Sequence, residues 1–507
     1  MPLKKNIQHL LKIEVLCFIL LTFGTLVRLL QYLSNRSIWA DEAVLALNIV
    51  DRSYAQLTQP LDYEQGAPIG FLILEKTAIN LFGNNEYALR LVPLIAGIGS
   101  LFLFYQLAKK LIPKPAIPIA LALFACLPHL IYYSSELKQY SSDVAIALLL
   151  FLLLLPLIRG KLYLPELIKF SLIGATAIWY SHPAIFILAG IGLTSAIFTF
   201  RQKQLDKIKP LSIIFSSWLL SFILFYWLSL SKLTGDSDLM TSWNKAFPSS
   251  PLDIIWLLDA LGKFFYRPLG FEAWMDGLAI IAFVVGCVAC WQRKKSTLLL
   301  LLSPIFMTLA AAYLEKYPFR SRLVLFLTPF FILLIAEGVN YLLQITRKSQ
   351  RQWVGIAGVF LTLLLLWQPM VSAGSILIQP KWRSEIKPAI SFIKANQEPG
   401  DILYVYQRGI YQFLYYAEKY GYEEGDYILG VDDLDKYDGR GVSEEERRRY
   451  LNDLNNLRGN PRVWLLFSHA APSENKLFLS YLEENGIKLA EVHSKGTSAY
   501  LYDLSKD

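Results

Sequence analysis

The sequence predicts a polytopic α-helical membrane protein of about eleven spans, with juxtamembrane helices in its first outer loop and a small C-terminal α/β domain. The chain of 507 residues is 54% hydrophobic and 18% charged, whereas about a quarter of the residues of a typical soluble chain are charged. Its apolar residues form runs close to the roughly 20 residues that a helix needs to cross a bilayer. The charged residues are concentrated between these runs and in the last part of the chain.

Eleven apolar runs predict the spans. They lie near residues 14–33, 89–108, 115–132, 144–158, 166–180, 184–200, 210–230, 277–291, 297–313, 321–344 and 353–374. The first run resembles a signal peptide, but it is long and lacks a small-residue cleavage site, so we interpret it as an uncleaved first span.

The distribution of Lys and Arg predicts the orientation of the chain. The N-terminal segment and every second loop between spans are short and basic, as expected for cytoplasmic segments. The predicted outer loops hold most of the acidic residues. We therefore expect a multi-pass protein of the cell inner (plasma) membrane with a cytoplasmic N-terminus. An odd number of spans then places the C-terminal domain outside the cytoplasm.

Two regions follow from this pattern. Residues 1–378 form a predicted transmembrane catalytic module with long outer loops at 34–88 and 231–276, and residues 379–507 form the extracytoplasmic domain. The first loop contains the amphipathic stretch IGFLILEKTAINLFG, which is long enough to lie on the membrane surface as a helix. The second contains tryptophans and a tyrosine that suit an interfacial helix pair. In the C-terminal region, strand and helix patterns alternate, which indicates a small α/β layer.

Composition excludes two other interpretations. The net charge is +8, but the basic residues are spread through short loops rather than along one stripe, so we expect no nucleic-acid partner. The four cysteines all lie in apolar segments, which favours small packing residues over a disulfide or metal framework. They are Cys17, Cys126, Cys287 and Cys290.

Four polar clusters fall on the predicted outer face of the membrane. They are Trp39–Glu42, the turn around Glu136 to Asp143, the turn Trp179–Pro183, and Tyr317–Arg322. Ionisable residues at membrane depth are costly, and they indicate function by default. Arginine makes bidentate contacts with phosphate, and a carboxylate can deprotonate an acceptor hydroxyl as general base. The mixture indicates sugar transfer from a lipid-linked phosphate, because nucleotide sugars are not available outside the cytoplasm.

The order of these clusters resembles the GT-C superfamily of membrane glycosyltransferases over roughly residues 10–375. The resemblance rests on the Asp-Glu pair in the first outer loop, the carboxylate followed by a basic residue and a tyrosine, the histidine after span five, and the Tyr-x-Phe-x-x-Arg motif before span ten. More narrowly, the chain is similar to bacterial relatives of dolichyl-phosphate-mannose–protein mannosyltransferases. Lipopolysaccharide-core galacturonosyltransferases and the lipid A aminoarabinose transferase belong to that group.

The resemblance implies an inverting transfer of a sugar from a polyprenyl-phosphate donor to an extracytoplasmic lipid, glycan or protein acceptor. The implied catalytic residues are Asp41, as general base or metal-site residue, with Glu42 beside it, and Glu136. The implied donor-phosphate ligands are Lys138, where relatives often have arginine, Arg320 and Arg322. The implied substrate-binding residues are Tyr140, His182 and Tyr317. A divalent cation, Mg²⁺ or Mn²⁺, stays open, since Asp41 and Glu42 offer the oxygen ligands that such ions prefer.

Each residue also has a structural interpretation. Asp41 and Glu42 can cap a juxtamembrane helix, Glu136 and Lys138 can form a solvated ion pair, His182 can serve a turn, and the arginines can reach ordinary lipid phosphates. Two other functions stay open at this point. One is a flippase or transporter of lipid-linked sugars, and the other is a polysaccharide ligase or polymerase that uses a pyrophosphate-linked donor.

Overall fold

The computed structural model describes residues 2–160, 162–231, 246–348, 352–431 and 441–505. Contacts between residues divide the chain into two compact units. The first unit consists of residues 1–34 and 53–380, and the second consists of residues 35–52 and 381–507. The C-terminal segment therefore forms one unit with a short stretch of the first outer loop, a grouping that the sequence pattern did not indicate.

The first unit is helical. Its described α-helices are Pro2–Leu33, Ile69–Phe82, Glu86–Leu89, Leu91–Leu111, Ile117–Cys126, Pro128–Tyr132, Tyr140–Arg159, Leu164–Tyr180, Ala184–Arg201, Ile208–Phe225, Ile254–Tyr266, Met275–Tyr313, Thr328–Lys348 and Gln352–Ile376. A π-helical turn, Tyr226–Leu230, continues the helix that ends at Phe225. A 3₁₀ segment, Ser321–Leu327, precedes Thr328–Lys348.

These helices confirm the polytopic class. Among the described residues, eight helices are long and apolar enough to cross a membrane, or nine if the bent pair Lys114–Cys126 and Pro128–Ser135 is one span. Helices occur at all eleven predicted positions. The predicted spans 277–291 and 297–313 meet without a loop at Lys294, which has non-helical dihedrals inside Met275–Tyr313. The predicted fifth span is the 17-residue helix Leu164–Tyr180. The exact number of eleven stays a prediction.

The second long outer loop contains the helix Ile254–Tyr266, which Asp253 caps by accepting a hydrogen bond from the backbone N–H of Trp256. Residues 232–245 of this loop lie outside the described residues, so the predicted helix pair stays a prediction. In the first loop, the amphipathic stretch forms the predicted helix, Ile69–Phe82.

Small residues allow two helices of the first unit to pack backbone against backbone. A Cβ atom at Gly286 would overlap the carbonyl oxygen of Leu334, and one at Gly338 would overlap that of Ala282. Glycine at a helix crossing permits this close approach. The side chain of Arg293 joins the same helices by a bidentate ion pair with Glu337, with N–O distances of 2.7 and 2.9 Å.

The second unit contains a five-stranded sheet. Its strands are β1 Ile402–Val405, β2 Ile428–Leu429, β3 Val463–Ser468, β4 Ile487–Ser494 and β5 Thr497–Asp503. The strand order is β2-β1-β3-β5-β4, with β1 parallel to β2 and β3, and β5 antiparallel to β3 and β4. Every residue of β3 is buried, as expected for a central strand covered on both faces. The predicted small C-terminal α/β layer is therefore confirmed.

Helices of the second unit are Ala40–Asp51, Lys387–Asn396, Ile410–Ala417, Glu444–Asn455 and Pro472–Asn485. The helix Glu444–Asn455 begins with a capping box. The Ser443 hydroxyl accepts from the backbone N–H of Glu446, whose carboxylate accepts from the backbone N–H of Ser443. This reciprocal pair satisfies two donors that a helix start leaves without partners.

Candidate active site

The predicted site residues fall in both compact units. Asp41 and Glu42 lie in the second unit, and the others lie in the first. Those of the first unit are Glu136, Lys138, Tyr140, His182, Tyr317, Arg320 and Arg322.

In the second unit, the acidic pair occupies the first turn of the helix Ala40–Asp51. The carboxylate of Glu42 is fully buried and accepts a hydrogen bond of 3.4 Å from the backbone N–H of Trp39. Asp41 is half-buried. Glu42 thus satisfies a backbone donor that precedes the first turn. Asp41 as a residue keeps part of its surface accessible, although its Oδ2 atom is inaccessible.

The indole of Trp39 packs beside two basic side chains of the C-terminal segment. The guanidinium of Arg383 lies 4.0 Å from the ring centroid of Trp39, and the imidazole of His469 lies 5.7 Å from it. Burial, followed by the charge of Arg383, lowers the pKa of His469 to about 4. The neutral imidazole shares a 2.8 Å hydrogen bond with the hydroxyl of Ser384. This environment keeps one positive charge, that of Arg383, next to the segment that leads to Asp41.

In the first unit, the turn before the helix Tyr140–Arg159 is buried and tied to the first outer loop. Glu136 is fully buried, and Lys138 is 5% exposed. The ammonium of Lys138 donates to the side-chain oxygen of Gln65 at 2.8 Å, and the side chain of Gln139 donates to the carbonyl of Gly66 at 3.3 Å. Burial removes this turn from the solvent, so the solvated ion pair considered from sequence does not describe it.

A buried hydrogen bond joins the second and third polar clusters. The hydroxyl of Ser181 donates to the carboxylate of Asp143 at 2.6 Å, and both residues are at most 5% exposed. Tyr317 of the fourth cluster lies near them. Burial, then the charges of Asp143 and Tyr140, raise the pKa of the Tyr317 phenol well above its usual range. The phenol stays protonated and donates to the carbonyl of Leu323 at 2.7 Å.

The two arginines of the fourth cluster face different neighbours. The guanidinium of Arg322 lies over the ring of Tyr140, 5.7 Å from its centroid. Arg320 lines a cavity of about 10 Å³ together with Lys263 and Arg267 of the second outer loop. The residue between them, Ser321, has a φ of +51°, a left-handed conformation that is uncommon for a residue other than glycine. The two arginines therefore lie in different surroundings, and their assignment as phosphate ligands stays a prediction.

His182 lies in the turn between two helices, where its ring centroid is 5.5 Å from that of Phe225. Its Nε2 atom is inaccessible and makes no hydrogen bond within the described residues. Burial lowers the pKa of His182 to about 4, so the imidazole is neutral at physiological pH. His182 therefore contributes an aromatic and polar surface rather than a positive charge.

An apolar cavity of about 670 Å³ begins beside the Asp143–Ser181 hydrogen bond. Ser142 and Tyr180, the chain neighbours of those two residues, line it, and the other lining residues are almost all apolar. Its walls come from the helices Ile69–Phe82, Leu91–Leu111, Tyr140–Arg159 and Leu164–Tyr180. A smaller cavity of about 90 Å³ is lined by residues of the first outer loop, including Glu64 and Gln65, and by Ser229.

Three residues that were not among the predicted site residues have polar groups next to the site or buried in the first unit. Gln65 binds the ammonium of Lys138, and Ser181 binds Asp143. Both lie in turns that the sequence marks as polar. Glu75 is fully buried, and neither of its carboxylate oxygens has a hydrogen-bond partner within the described residues. The signal for Glu75 was a carboxylate inside the apolar stretch of an amphipathic helix.

The described residues contain no group of three or more His, Cys, Asp or Glu side chains arranged to hold a metal ion. An ion at Asp41 and Glu42 would need oxygen ligands from backbone carbonyls, water or substrate in addition. The metal assignment stays a prediction.

Similarity to solved membrane proteins of GT-C type confirms the expected fold class. Among solved structures, the chain is similar to ArnT from Cupriavidus metallidurans bound to undecaprenyl phosphate, with 10% identity, a TM-score of 0.54, and coverage of 95% of this chain and 97% of ArnT. It is also similar to apo ArnT from that organism, with 11% identity, a TM-score of 0.50 and the same coverage. The Archaeoglobus fulgidus oligosaccharyltransferase gives 12% identity, a TM-score of 0.49, and coverage of 96% and 73%.

No protein-family profile and no curated protein sequence matches the chain. Because the identities are low, the comparisons confirm the resemblance seen in the sequence for the fold alone.

Proposed function

We propose that this protein is an integral-membrane glycosyltransferase that moves a sugar from a polyprenyl-phosphate donor to an acceptor outside the cytoplasm. The observation that carries the proposal is the position of the apolar cavity, which begins beside the buried hydrogen bond between Asp143 and Ser181. Tyr317 lies near Asp143, and Arg322 lies over the ring of Tyr140 at the start of the same helix. A polyprenyl-phosphate sugar has the same two parts. The cavity of about 670 Å³ suits the apolar isoprene units nearest the phosphate, and the polar groups suit the phosphate and the sugar.

The cationic groups supply the charge that the leaving phosphate needs. As the glycosidic bond breaks, the electron pair of the C–O bond passes to the phosphate oxygen. The buried Lys138 and the half-buried arginines stabilise that oxygen more strongly than they would in water. Lys138 is assigned as a point charge, because an ammonium cannot make the planar bidentate contact of a guanidinium. Arg322 and Arg320 are assigned as the guanidinium ligands.

Asp41 is assigned as the general base. Its carboxylate takes the proton of the acceptor hydroxyl while the hydroxyl oxygen attacks the anomeric carbon from the face opposite to the phosphate. One displacement of this kind inverts the anomeric configuration. Glu42 is assigned a supporting role, because its buried carboxylate already caps the helix that carries Asp41. A divalent cation at Asp41, Mg²⁺ or Mn²⁺, is kept as the second assignment for that residue.

Binding of undecaprenyl phosphate tests the donor class without knowledge of the sugar. ArnT has been solved with undecaprenyl phosphate bound, which supports this choice of probe. The purified protein in lipid nanodiscs is expected to bind the probe, and Arg322→Gln is expected to weaken binding by about tenfold or more, because a charge-assisted hydrogen bond contributes roughly 1.5–3 kcal/mol. Arg201→Gln, at an exposed residue, is the matched control. Absence of binding by the wild-type protein would exclude this donor class.

Transfer tests the role of Asp41. With sugar-labelled polyprenyl-phosphate donors and host membranes as the source of acceptor, Asp41→Asn is expected to abolish transfer and to leave binding of undecaprenyl phosphate unchanged. The amide has nearly the same shape as the carboxylate but cannot accept a proton. Full transfer by Asp41→Asn would show that another residue is the base.

A further inference from the structure

The segment immediately before Asp41 is held by the C-terminal part of the second unit through the backbone of one residue. The backbone N–H of Ile38 donates to the Tyr416 hydroxyl at 2.8 Å, and its carbonyl accepts from the side chain of Gln412 at 2.7 Å. Both partners belong to the helix Ile410–Ala417. Ile38 and Gln412 are fully buried, and Tyr416 is 2% exposed.

A charged group holds the preceding residue. One carboxylate oxygen of Glu385 accepts from the backbone N–H of Ser37 at 2.9 Å, and the other accepts from its hydroxyl at 2.9 Å. Glu385 is 9% exposed and Ser37 is 1% exposed. The ammonium of Lys387 donates to the carbonyl of Asn35 at 2.8 Å. Hydrogen bonds to a buried carboxylate are strong and directional, so residues 35–38 have one defined path.

The holding side chains are themselves anchored to the sheet. The side-chain oxygen of Gln412 accepts from the hydroxyl of Ser468, the last residue of β3, at 2.5 Å. Its amide also donates to Ser384 at 3.1 Å. A buried polar network, formed by Gln412, Ser384 and Ser468, therefore connects Ile38 to the central strand β3. A fully satisfied buried network of this kind specifies one arrangement.

The held segment leads directly into the helix that carries Asp41. The carbonyl of Trp39 accepts from the backbone N–H groups of Glu42 and Ala43, at 2.9 Å each, so Trp39 is the N-cap and the helix begins at Ala40, two residues after Ile38. Within a helix, the direction of each side chain follows from the position and rotation of the helix start. The path of residues 35–38 thus determines where the carboxylate of Asp41 points.

We propose that the C-terminal α/β domain is the positioning element for the carboxylate of Asp41, and that Tyr416, Gln412 and Glu385 are its positioning residues. This inference rests on the proposed function, because it takes Asp41 as the base. A domain that only covered a site would pack against its side chains. Here, the domain binds both polar groups of a buried backbone residue three positions before the base.

Near-isosteric substitutions test the inference. Tyr416→Phe and Gln412→Met each remove one hydrogen bond to Ile38 and preserve side-chain bulk. Because misplacement of a catalytic group by about 1 Å can cost about a hundredfold in rate, we expect each variant to lower kcat by at least about tenfold. The KM for the lipid-linked donor is expected to stay within about twofold, since donor binding does not depend on the base. Hydrogen exchange of peptides within residues 35–52 is expected to become faster.

Tyr404→Phe is the matched control. It removes a buried hydrogen bond of 2.6 Å to Asp453 in the same unit and leaves residues 35–39 with their partners. We expect it to leave kcat and the exchange of residues 35–52 unchanged. Ser37→Ala is the milder second variant if Tyr416→Phe does not fold, and it is expected to lower kcat in the same direction.

The outcomes separate the inference from the proposed function. Wild-type kcat and exchange in folded Tyr416→Phe or Gln412→Met, with Asp41→Asn inactive, would overturn the positioning role and leave the proposed function intact. Equal loss of kcat in Tyr404→Phe would also overturn it, because the effect would then follow general destabilisation. Full activity of Asp41→Asn would overturn the assignment of the base and the positioning role with it.

Discussion

At the scale of single residues, the adjacent carboxylates of the first outer loop have different environments. Glu42 is buried and caps its helix, whereas Asp41 keeps part of its surface accessible. A general base must exchange its proton with a substrate and with water, so accessibility favours Asp41. The structural interpretation of the pair, helix capping, thus describes the geometry of Glu42. Its neighbour Asp41 is the residue on which the proposed chemistry depends.

Glu75 provides a test of burial at the residue scale. Burial raises its pKa well above the ordinary value. A group whose pKa is higher in the folded state stabilises the fold most below its unfolded pKa, and this stability is lost as the pH rises toward the folded pKa. Glu75→Gln removes the titration. We expect its melting temperature in detergent to fall less than that of the wild-type protein between pH 4 and pH 8.

The control for Glu75 is Glu64→Gln, at an exposed position of the same loop, which is expected to leave the pH dependence of melting unchanged. A fall in the melting temperature of Glu75→Gln between pH 4 and pH 8 as large as that of the wild-type protein would contradict the expectation. It would show that the pH dependence of melting has another source than Glu75.

At the scale of elements, helix ends bring the polar clusters together. The helix Tyr140–Arg159 carries Asp143 in its first turn, and Ser181 is the C-cap of Leu164–Tyr180. The hydrogen bond between them places the ends of two membrane helices side by side. The apolar cavity begins beside this hydrogen bond. The same two helices thus supply polar residues at their ends and apolar residues to the lining of the cavity.

Filling the cavity tests its role. Ala145→Trp adds an indole to the lining formed by the helix Tyr140–Arg159. We expect binding of undecaprenyl phosphate to weaken by at least about tenfold, because the added ring competes with the polyprenyl chain for apolar space. Affinity is to be measured in nanodiscs for undecaprenyl phosphate and for a carrier phosphate shortened to a few isoprene units. The short carrier is expected to lose less affinity.

Leu219→Trp is the control for the cavity, since Leu219 is 57% exposed and does not line it. It is expected to leave both affinities unchanged. If Ala145→Trp binds the long and the short carrier as the wild-type protein does, the chain of the donor lies elsewhere.

At the scale of the whole molecule, the orientation of the chain is predicted from the basic loops. Lys476 is exposed in the C-terminal domain, and Lys110 is exposed at the end of the helix Leu91–Leu111. On a background with the four cysteines replaced, we expect Lys476→Cys to react with a membrane-impermeant maleimide in intact cells. Lys110→Cys is expected to react after permeabilisation only. The reverse pattern would invert the topology and exclude an extracytoplasmic site.

The sequence by itself determined the polytopic class and the positions of the helices, because apolar runs of membrane length and their basic flanks are local properties of the chain. It also predicted the alternation of strands and helices in the C-terminal region, since the segments DILYVY, RVWLLFS, KLAEVHS and SAYLYDL have strong strand patterns. The two-residue strand β2 was missed. Its exposed residues have no alternation to detect, and its pairing with β1 exists only in the folded sheet.

Only the tertiary structure decided how the polar residues are grouped. The Asp143–Ser181 bond, the contact of Lys138 with Gln65, and the attachment of residues 35–52 to the C-terminal domain join positions separated by 38, 73 and more than 300 residues. Such contacts depend on the packing of helices and on the burial of polar groups that must find partners. The sequence therefore marked Asp41 as a candidate, and the structure revealed what holds it.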